Sequence, residues 1–276
     1  MSLRTFAAPL LGLAQRLYRT PSARRLMVEL RESFDDRVRV MEGEPPVYLH
    51  VTSRMEHQRA TGFLSKEPDT IVWLNQLNAG DLFVDIGANV GVYSLYAAMR
   101  RSARVIAFEP EAQNFAALNR NLWDNKPPHR VTALPYALSD RDAPIQLHLA
   151  MLTSGGSHHT AGEAIDEQGR RFTPKYVQDT VATTLDAILK VIAPGQCPRF
   201  IKIDVDGSEP AILAGMPCTL ADKRLEQVLV EMPVDPADAP AVYEQFRGAG
   251  FSFQKPGWVN KGRGNIIFTR RLESID

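Results

Sequence analysis

The chain has 276 residues, 44% of them hydrophobic, enough to bury a sizeable core in one domain that carries an extension. Lys plus Arg and Asp plus Glu number 32 each, so no global charge argues for a nucleic-acid partner. Two cysteines, Cys197 and Cys218, are too few and too far apart for a disulfide framework or a zinc knuckle, which fits a reducing cytoplasm, and no apolar run approaches the roughly 18 residues of a membrane-spanning helix.

Between Met1 and Arg31 the bases Arg4, Arg16, Arg19, Arg24, Arg25 and Arg31 face the single acid Glu29. Phe6, Leu10, Leu13, Leu17 and Tyr18 fall at helical spacing, which predicts an amphipathic basic helix. Such a helix suits packing on the core, on a second copy of the chain in a homodimer, or on a membrane surface touched peripherally through residues 1–31. Pro9 and Gly12 interrupt its apolar run, which argues against a cleaved signal peptide. Residues 1–45 read as an appendage ending in the turn-forming stretch Glu42–Pro46. Val47–Val51 alternates like a short strand, and Asp69–Leu77 reads as a helix capped by Asp69. The division expected is an N-terminal extension, 1–79, and a catalytic domain, 80–276.

From Gly80 onward strand-like and helix-like segments alternate. Strands are predicted at Leu82–Ile86, Arg104–Phe108, Val131–Leu138, Phe200–Val205 and Gln227–Glu231, with helices at Val90–Arg100, Glu111–Asn125 and from near Glu209. Phe251–Gln254 and Asn265–Thr269 close the pattern as a hairpin-like pair. This order predicts an α/β fold: a Rossmann-like, doubly wound, mostly parallel sheet with an antiparallel edge. Trp73, Phe83, Phe108 and Phe115 are core candidates, whereas Arg100, Arg101 and Arg104 look like a solvated helix end. The polar segment Met151–Thr183 shows little periodicity and reads as a long functional or irregular connection.

The strongest motif is Asp85-Ile86-Gly87-Ala88-Asn89-Val90-Gly91, which leaves the first strand of this run and opens a helix. Open α/β sheets bind ligands outside the carboxyl ends of their strands, and Gly87 allows a sharp turn with close backbone approach. Glu109 follows 22 residues after Gly87, at the end of the next strand, where a carboxylate can accept both hydroxyl protons of a ribose. A dinucleotide site, as in a NAD-dependent oxidoreductase, would call for Gly-x-Gly-x-x-Gly around a pyrophosphate. Here the spacing is Gly-x-x-x-Gly and Asp85 stands two residues ahead, a carboxylate that would repel a pyrophosphate and favour the ammonium and sulfonium of S-adenosylmethionine.

The run DIGANVGVYS at Asp85–Ser94, with FEP at Phe108–Pro110, ALSD at Ala137–Asp140, TLD at Thr184–Asp186 and IKIDVDGSEPAIL at Ile201–Leu213, resembles the FkbM-type methyltransferase family. SKEPDTIVWL at Ser65–Leu74 is similar to a segment that precedes the core in one branch of that family. The resemblance spans roughly residues 60–270 and implies a class I methyltransferase fold with S-adenosylmethionine as cofactor. It implies an acceptor with a free hydroxyl, on a sugar, glycan, glycolipid or other natural product. Carried over by motif, Asp85, Gly87 and Asn89 line the methionine end of the cofactor, Glu109 binds the ribose, and Ser139 and Asp140 sit beside the adenine. Asp206 stands where the family often has Glu, with the same charge and a shorter reach.

Asp204, ending the fourth strand, is the first candidate for base or substrate anchor, since alkylating an alcohol requires positioning its oxygen and removing its proton. His158, within Gly155-Gly156-Ser157-His158-His159, is the second, by its near-neutral pKa range. Glu231, closing the fifth strand, can hydrogen-bond a substrate hydroxyl or hold the shape of the site. Lys202 is expected to pair with a neighbouring carboxylate. No tight metal-ligand spacing is present, so no metal is expected. An N-methyltransferase of the same fold, or a non-catalytic adenosyl-binding module, also fits these residues.

Overall fold

The computed structural model describes residues 20–127, 130–150, 153–156, 159–161, 171–254, 256–257, 259–260 and 262–271, with backbone alone for 63–65 and 159–161. Packing divides the chain into two compact units, Met1–Arg37 and Val38–Asp276. In the first, α1 (Pro21–Ser33) is capped by Thr20, whose hydroxyl accepts from the Ala23 N–H, and Pro begins the helix. None of its residues is buried, and Leu26, Met27 and Leu30 are exposed. No helix among the described residues is long and apolar enough to cross a membrane.

The second unit opens with a two-stranded sheet, β1 (Arg37–Met41) and β2 (Val47–His50), then α2 (Arg54–Lys66) and α3 (Pro68–Leu74). α2 starts at a capping box: the Ser53 hydroxyl accepts from Glu56 N–H, and the Glu56 carboxylate accepts from Ser53 N–H. α3 is shorter than the predicted helix, and Asp69 does not cap it. Pro68 occupies its first turn behind Glu67, and the Asp69 carboxylate accepts from Gly257 N–H at 3.1 Å.

The core is a seven-stranded sheet of β3 (Leu82–Ile86), β4 (Arg104–Phe108), β5 (Val131–Leu134), β10 (Phe200–Ile203), β11 (Gln227–Pro233), β12 (Phe251–Gln254) and β13 (Arg263–Arg270), in the order β12-β13-β11-β10-β3-β4-β5. The neighbours from β11 to β5 run parallel, and β13 pairs antiparallel with β11 and β12, giving the expected antiparallel edge. Helices α4 (Val92–Arg100), α5 (Ala112–Asn125), α6 (Leu185–Ile192), α7 (Glu209–Ala214), α8 (Pro217–Ala221) and α9 (Pro240–Gly248) complete the unit. This is the doubly wound α/β architecture that the alternation predicts. The chain winds one way from β3 to β5 and the other from β10 to β11, so the switch point lies between the carboxyl ends of β3 and β10.

Side chains alternate across a sheet, and the register decides which share a face. Asp85 pairs with Lys202 and with Ala107, Lys202 with Leu229, and Glu231 with Asn265. One face therefore carries Phe83, Phe200 and Leu229 in its apolar part, with Asp85, Lys202, Asp204 and Glu231 toward the carboxyl ends. The other face carries Val84, Ile86, Ile106, Ile201, Ile203, Val228 and Val230, all buried.

Three segments depart from the sequence reading. Val131–Leu138 is two strands, because Pro135 has no N–H to continue the ladder: β5 belongs to the large sheet and β6 (Ala137–Leu138) to another. The irregular connection contains β8 (His159–Ala161) and the eight-residue β9 (Tyr176–Thr183), which join β6 and β7 (Ala143–Leu149) in a four-stranded sheet ordered β6-β9-β7-β8. Arg100 and Arg101 are tied rather than solvated, donating to the carbonyls of Pro45 and Leu77.

The last of these contacts, with the aromatic packing, binds the segment before Gly80 to the sheet. Trp73 is fully buried, stacked on Phe200 at 5.0 Å between ring centroids and edge-on to Phe83 at 5.9 Å. Leu74 and Leu77 belong to the same buried cluster. Trp73→Ala is expected to cost about 3–5 kcal/mol in urea unfolding, and a chain begun at residue 80 to show no cooperative transition.

Candidate active site

The glycine turn after β3 is shaped by its neighbouring strand. Gly87 has φ +76°, and a Cβ there would stand 2.0 Å from the Asp204 carbonyl oxygen, so glycine is required for close approach of two strands. Asp204 N–H donates to the Ile86 carbonyl at 3.0 Å, fixing the first residue after β10 to the last of β3. Asn89, also in the left-handed region at φ +53°, donates its N–H to Glu109 Oε2 at 2.7 Å. Glu109 Oε1 accepts from Glu111 N–H at 2.9 Å. Burial pushes the Glu109 carboxyl up to about 7 although both bonds favour its charge.

Beneath this turn lies a buried charge cluster. Asp85 is wholly enclosed; its Oδ2 accepts from the Ser94 hydroxyl at 2.6 Å, and its Oδ1 has no hydrogen-bond partner among the described residues. Lys202, 1% exposed, donates to Asp204 Oδ2 at 2.6 Å and lies 5.0 Å over the Tyr93 ring. The Tyr93 hydroxyl donates to Glu67 Oε2 at 2.8 Å, and the Asn265 amide donates to Glu67 Oε2 and to Thr70. Burial opposes the charge of Lys202, but Asp204, Asp85 and Glu67 outweigh it and raise its pKa. Burial also works against the Asp204 charge; Lys202, a hydrogen bond from Glu231 and the field of Arg59 overcome it and hold the carboxyl low. That side chain is 31% exposed, so water screens part of the effect. Glu231 moves the other way, raised first by the Asp204 charge and then by burial, so the pair keeps one proton, on Glu231, at neutral pH.

A short loop covers the turn. Ser53 donates to the Ser154 carbonyl at 2.7 Å, and the Ser154 hydroxyl donates to Glu56 Oε1 at 2.6 Å. Asn89 Nδ2 donates to the Gly156 carbonyl at 2.7 Å, and Gly155 N–H donates to Asn114 Oδ1 at 2.8 Å. Gly155 has φ +81°, and a Cβ there would meet the Glu56 backbone nitrogen at 2.9 Å.

The structure thus gathers Asp85, Gly87, Asn89, Glu109, Asp204 and Glu231 at the switch point. Asp204 lies one residue past β10, and Glu231 lies inside β11 rather than closing it, because pairing with β13 runs on to Pro233. Ser139 and Asp140 follow β6 in the smaller sheet; Ser139 donates to Asp140, and Asp140 is exposed beside Arg141 at 3.3 Å. His158 lies outside the described residues. Glu67, Tyr93, Arg59 and Asn114 were not singled out in the sequence. The Ser53-x-x-Glu56 box was a legible signal for α2, whereas only the fold brings Glu67 and Asn265 together.

These groups fit S-adenosylmethionine. The enclosed Asp85 with its unsatisfied oxygen, and the ionised Asp204, favour a cationic ligand above the turn, and Glu109 offers a carboxylate to a diol. Two outcomes follow. Lys202→Met should lower stability by about 3–5 kcal/mol, because it strands buried carboxylates. Without the cation those groups bind protons more readily, so the deficit in chemical unfolding should be larger at pH 8 than at pH 4. A carboxylate accepts from ribose hydroxyls best when ionised, so with Glu109 as the ribose ligand the affinity for S-adenosylhomocysteine is expected to rise about tenfold from pH 6 to pH 8, its pKa being near 7. Calorimetric titration of Glu109→Gln should show no such rise.

The sequence profile described as "Methyltransferase FkbM domain" matches residues 85–253. A hexuronic acid methyltransferase, AglP, of Haloferax volcanii is 26% identical over 178 residues, 63% of this chain and 66% of that protein. The 31-O-demethyl-FK506 methyltransferase FkbM of Streptomyces tacrolimicus is 30% identical over 203 residues, 64% of this chain and 75% of that protein. The solved magnesium protoporphyrin IX methyltransferase of Synechocystis PCC 6803 aligns with a TM-score of 0.45 at 12% identity, over 80% of this chain and 86% of that one.

Proposed function

Because the chain belongs to the FkbM methyltransferase family and carries an S-adenosylmethionine-dependent methyltransferase domain, we propose that it methylates a hydroxyl oxygen of a sugar, glycan, glycolipid or other natural product. The observation that carries this reading is Asp204, partly exposed at the switch point and held ionised by Lys202 at 2.6 Å. The printed names of two relatives, one acting on a hexuronic acid and one named for an O-demethyl substrate, support a hydroxylated acceptor. We assign the enzyme to the cytoplasm, supported by its two free cysteines.

When bound, S-adenosylmethionine supplies a methyl group on a sulfonium, an electrophile with a good leaving group. Asp204 accepts a hydrogen bond from the acceptor hydroxyl and orients its lone pair along the line of displacement. A hydroxyl oxygen that receives the methyl group would hold its proton only weakly. A carboxylate of low pKa can therefore take it late in the reaction. Glu231, protonated, donates to Asp204 and keeps it in place. Glu109 and the Gly87 turn hold the adenosyl end.

The test pairs hydroxyl and amine versions of sugar and natural-product acceptors, with S-adenosylhomocysteine release and product mass as readouts. Methylated hydroxyl compounds are the expected product; methylation of the amines alone would replace this reading by an N-methyltransferase. Asp204→Asn should lower kcat by about a hundredfold or more while changing S-adenosylhomocysteine affinity less than about threefold. Equal losses in both would make Asp204 a cofactor ligand instead.

A further inference from the structure

The active-site face is rich in carboxylates, and its buried cation is already committed. Lys202 is enclosed and paired with Asp204. Toward the rim, Arg263 donates to Glu209 at 3.3 Å and to the Glu231 carbonyl at 3.0 Å. Lys66 pairs with Glu67 at 3.1 Å. A ligand bringing its own carboxylate would be repelled by Asp85, Glu109 and Asp204 unless another cation received it.

Arg59 is placed to do so. It lies on α2, one turn beyond Glu56, and is half-buried. Its Nε donates to the Gly155 carbonyl at 2.7 Å, one peptide from the Gly156 carbonyl that Asn89 holds above the glycine turn. The guanidinium is thus locked to the loop covering the cofactor turn by one of its five donors. Among the described residues no carboxylate comes within ion-pair distance of Arg59. Its field nonetheless reaches Glu109, at the end of β4, and Asp204, beyond β10, lowering both. Among the described residues its terminal N–H groups have no partner, and a planar cation whose field reaches two anionic sites without pairing to either suits bidentate capture of a carboxylate.

We propose that Arg59 is the carboxylate-binding residue of this cleft. The proposal rests on the S-adenosylmethionine reading. Two ligands bring that chemistry to the site, the methionine arm of the cofactor and an acidic sugar acceptor, and Arg59 receives one of them.

The experiment has a cofactor arm and an acceptor arm, each comparing a pair of compounds that differs in the carboxylate. Calorimetry measures S-adenosylmethionine against its decarboxylated analogue, then glucuronate against glucose with S-adenosylhomocysteine present, for the wild type, Arg59→Gln and Arg59→Lys. The expected result is a loss of about tenfold or more in Arg59→Gln for the carboxylate-bearing member of one pair. Its partner should stay within about twofold, and Arg59→Lys should recover part of the loss. Selective loss in the first pair assigns the site to the cofactor, and in the second to the acceptor. Equal losses within both pairs would make Arg59 a strut for the loop and overturn the proposal, as would no loss in either pair. Failure of the wild type to bind S-adenosylmethionine and its analogue alike would instead remove the cofactor reading beneath it.

Discussion

A single enclosed ammonium sets the terms for everything around it. Lys202 sits in the middle of a parallel sheet, where a charge taken from water is costly unless it is paired. Asp204 supplies the direct partner and Asp85 and Glu67 the surrounding field, so three elements far apart in sequence must converge for the cation to be tolerated. The same balance explains the split between Asp204 and Glu231. The carboxyl touching Lys202 keeps its charge, and the one beside that charge keeps a proton. Chemistry and stability therefore meet at one residue, which also restrains how the active site can vary.

Much of this was readable in the sequence because a parallel sheet writes its faces at period two. In Leu82–Ile86 and Phe200–Ile203, Asp85 and Lys202 interrupt otherwise apolar runs, and the register brings these interruptions side by side. The glycine turn, the carboxylate following β4 and the antiparallel edge were legible from motif and spacing. The smaller sheet did not. β7 and β9 bury few residues, so their hydrophobic signal is faint, and Tyr176–Thr183 passed for a connection. Pro135 marked the break between β5 and β6, and the box at Ser53 and Glu56 marked the start of α2; both are local signals that a search for sheet periodicity passes over. The convergence of Glu67, Tyr93 and Asn265 has no local signal at all, since Glu67 and Asn265 are 198 residues apart and meet only through β13.

The segment ahead of the sheet has a larger share in the site than its position suggests. Trp73 closes the apolar half of the functional face, Glu67 reaches the tyrosine beside Lys202, and the first turns of α2 carry the loop at Ser154 and Gly155. A division drawn between an N-terminal extension, 1–79, and a catalytic domain puts part of this lining on the extension's side. Trp73, Leu74 and Leu77, all in that extension, are buried in the cluster that includes Phe83 and Phe200.

The contact between Gly87 and the Asp204 carbonyl reaches beyond the turn it shapes. It joins the glycine turn after β3 to the first residue beyond β10, through two adjacent strands. The separation of the turn from Asp204 is then set by interstrand distance, a quantity that hardly varies with temperature or loop sequence. The surrounding loops can be recast while that separation stays constant, much as exchangeable jaws fit one rigid vice.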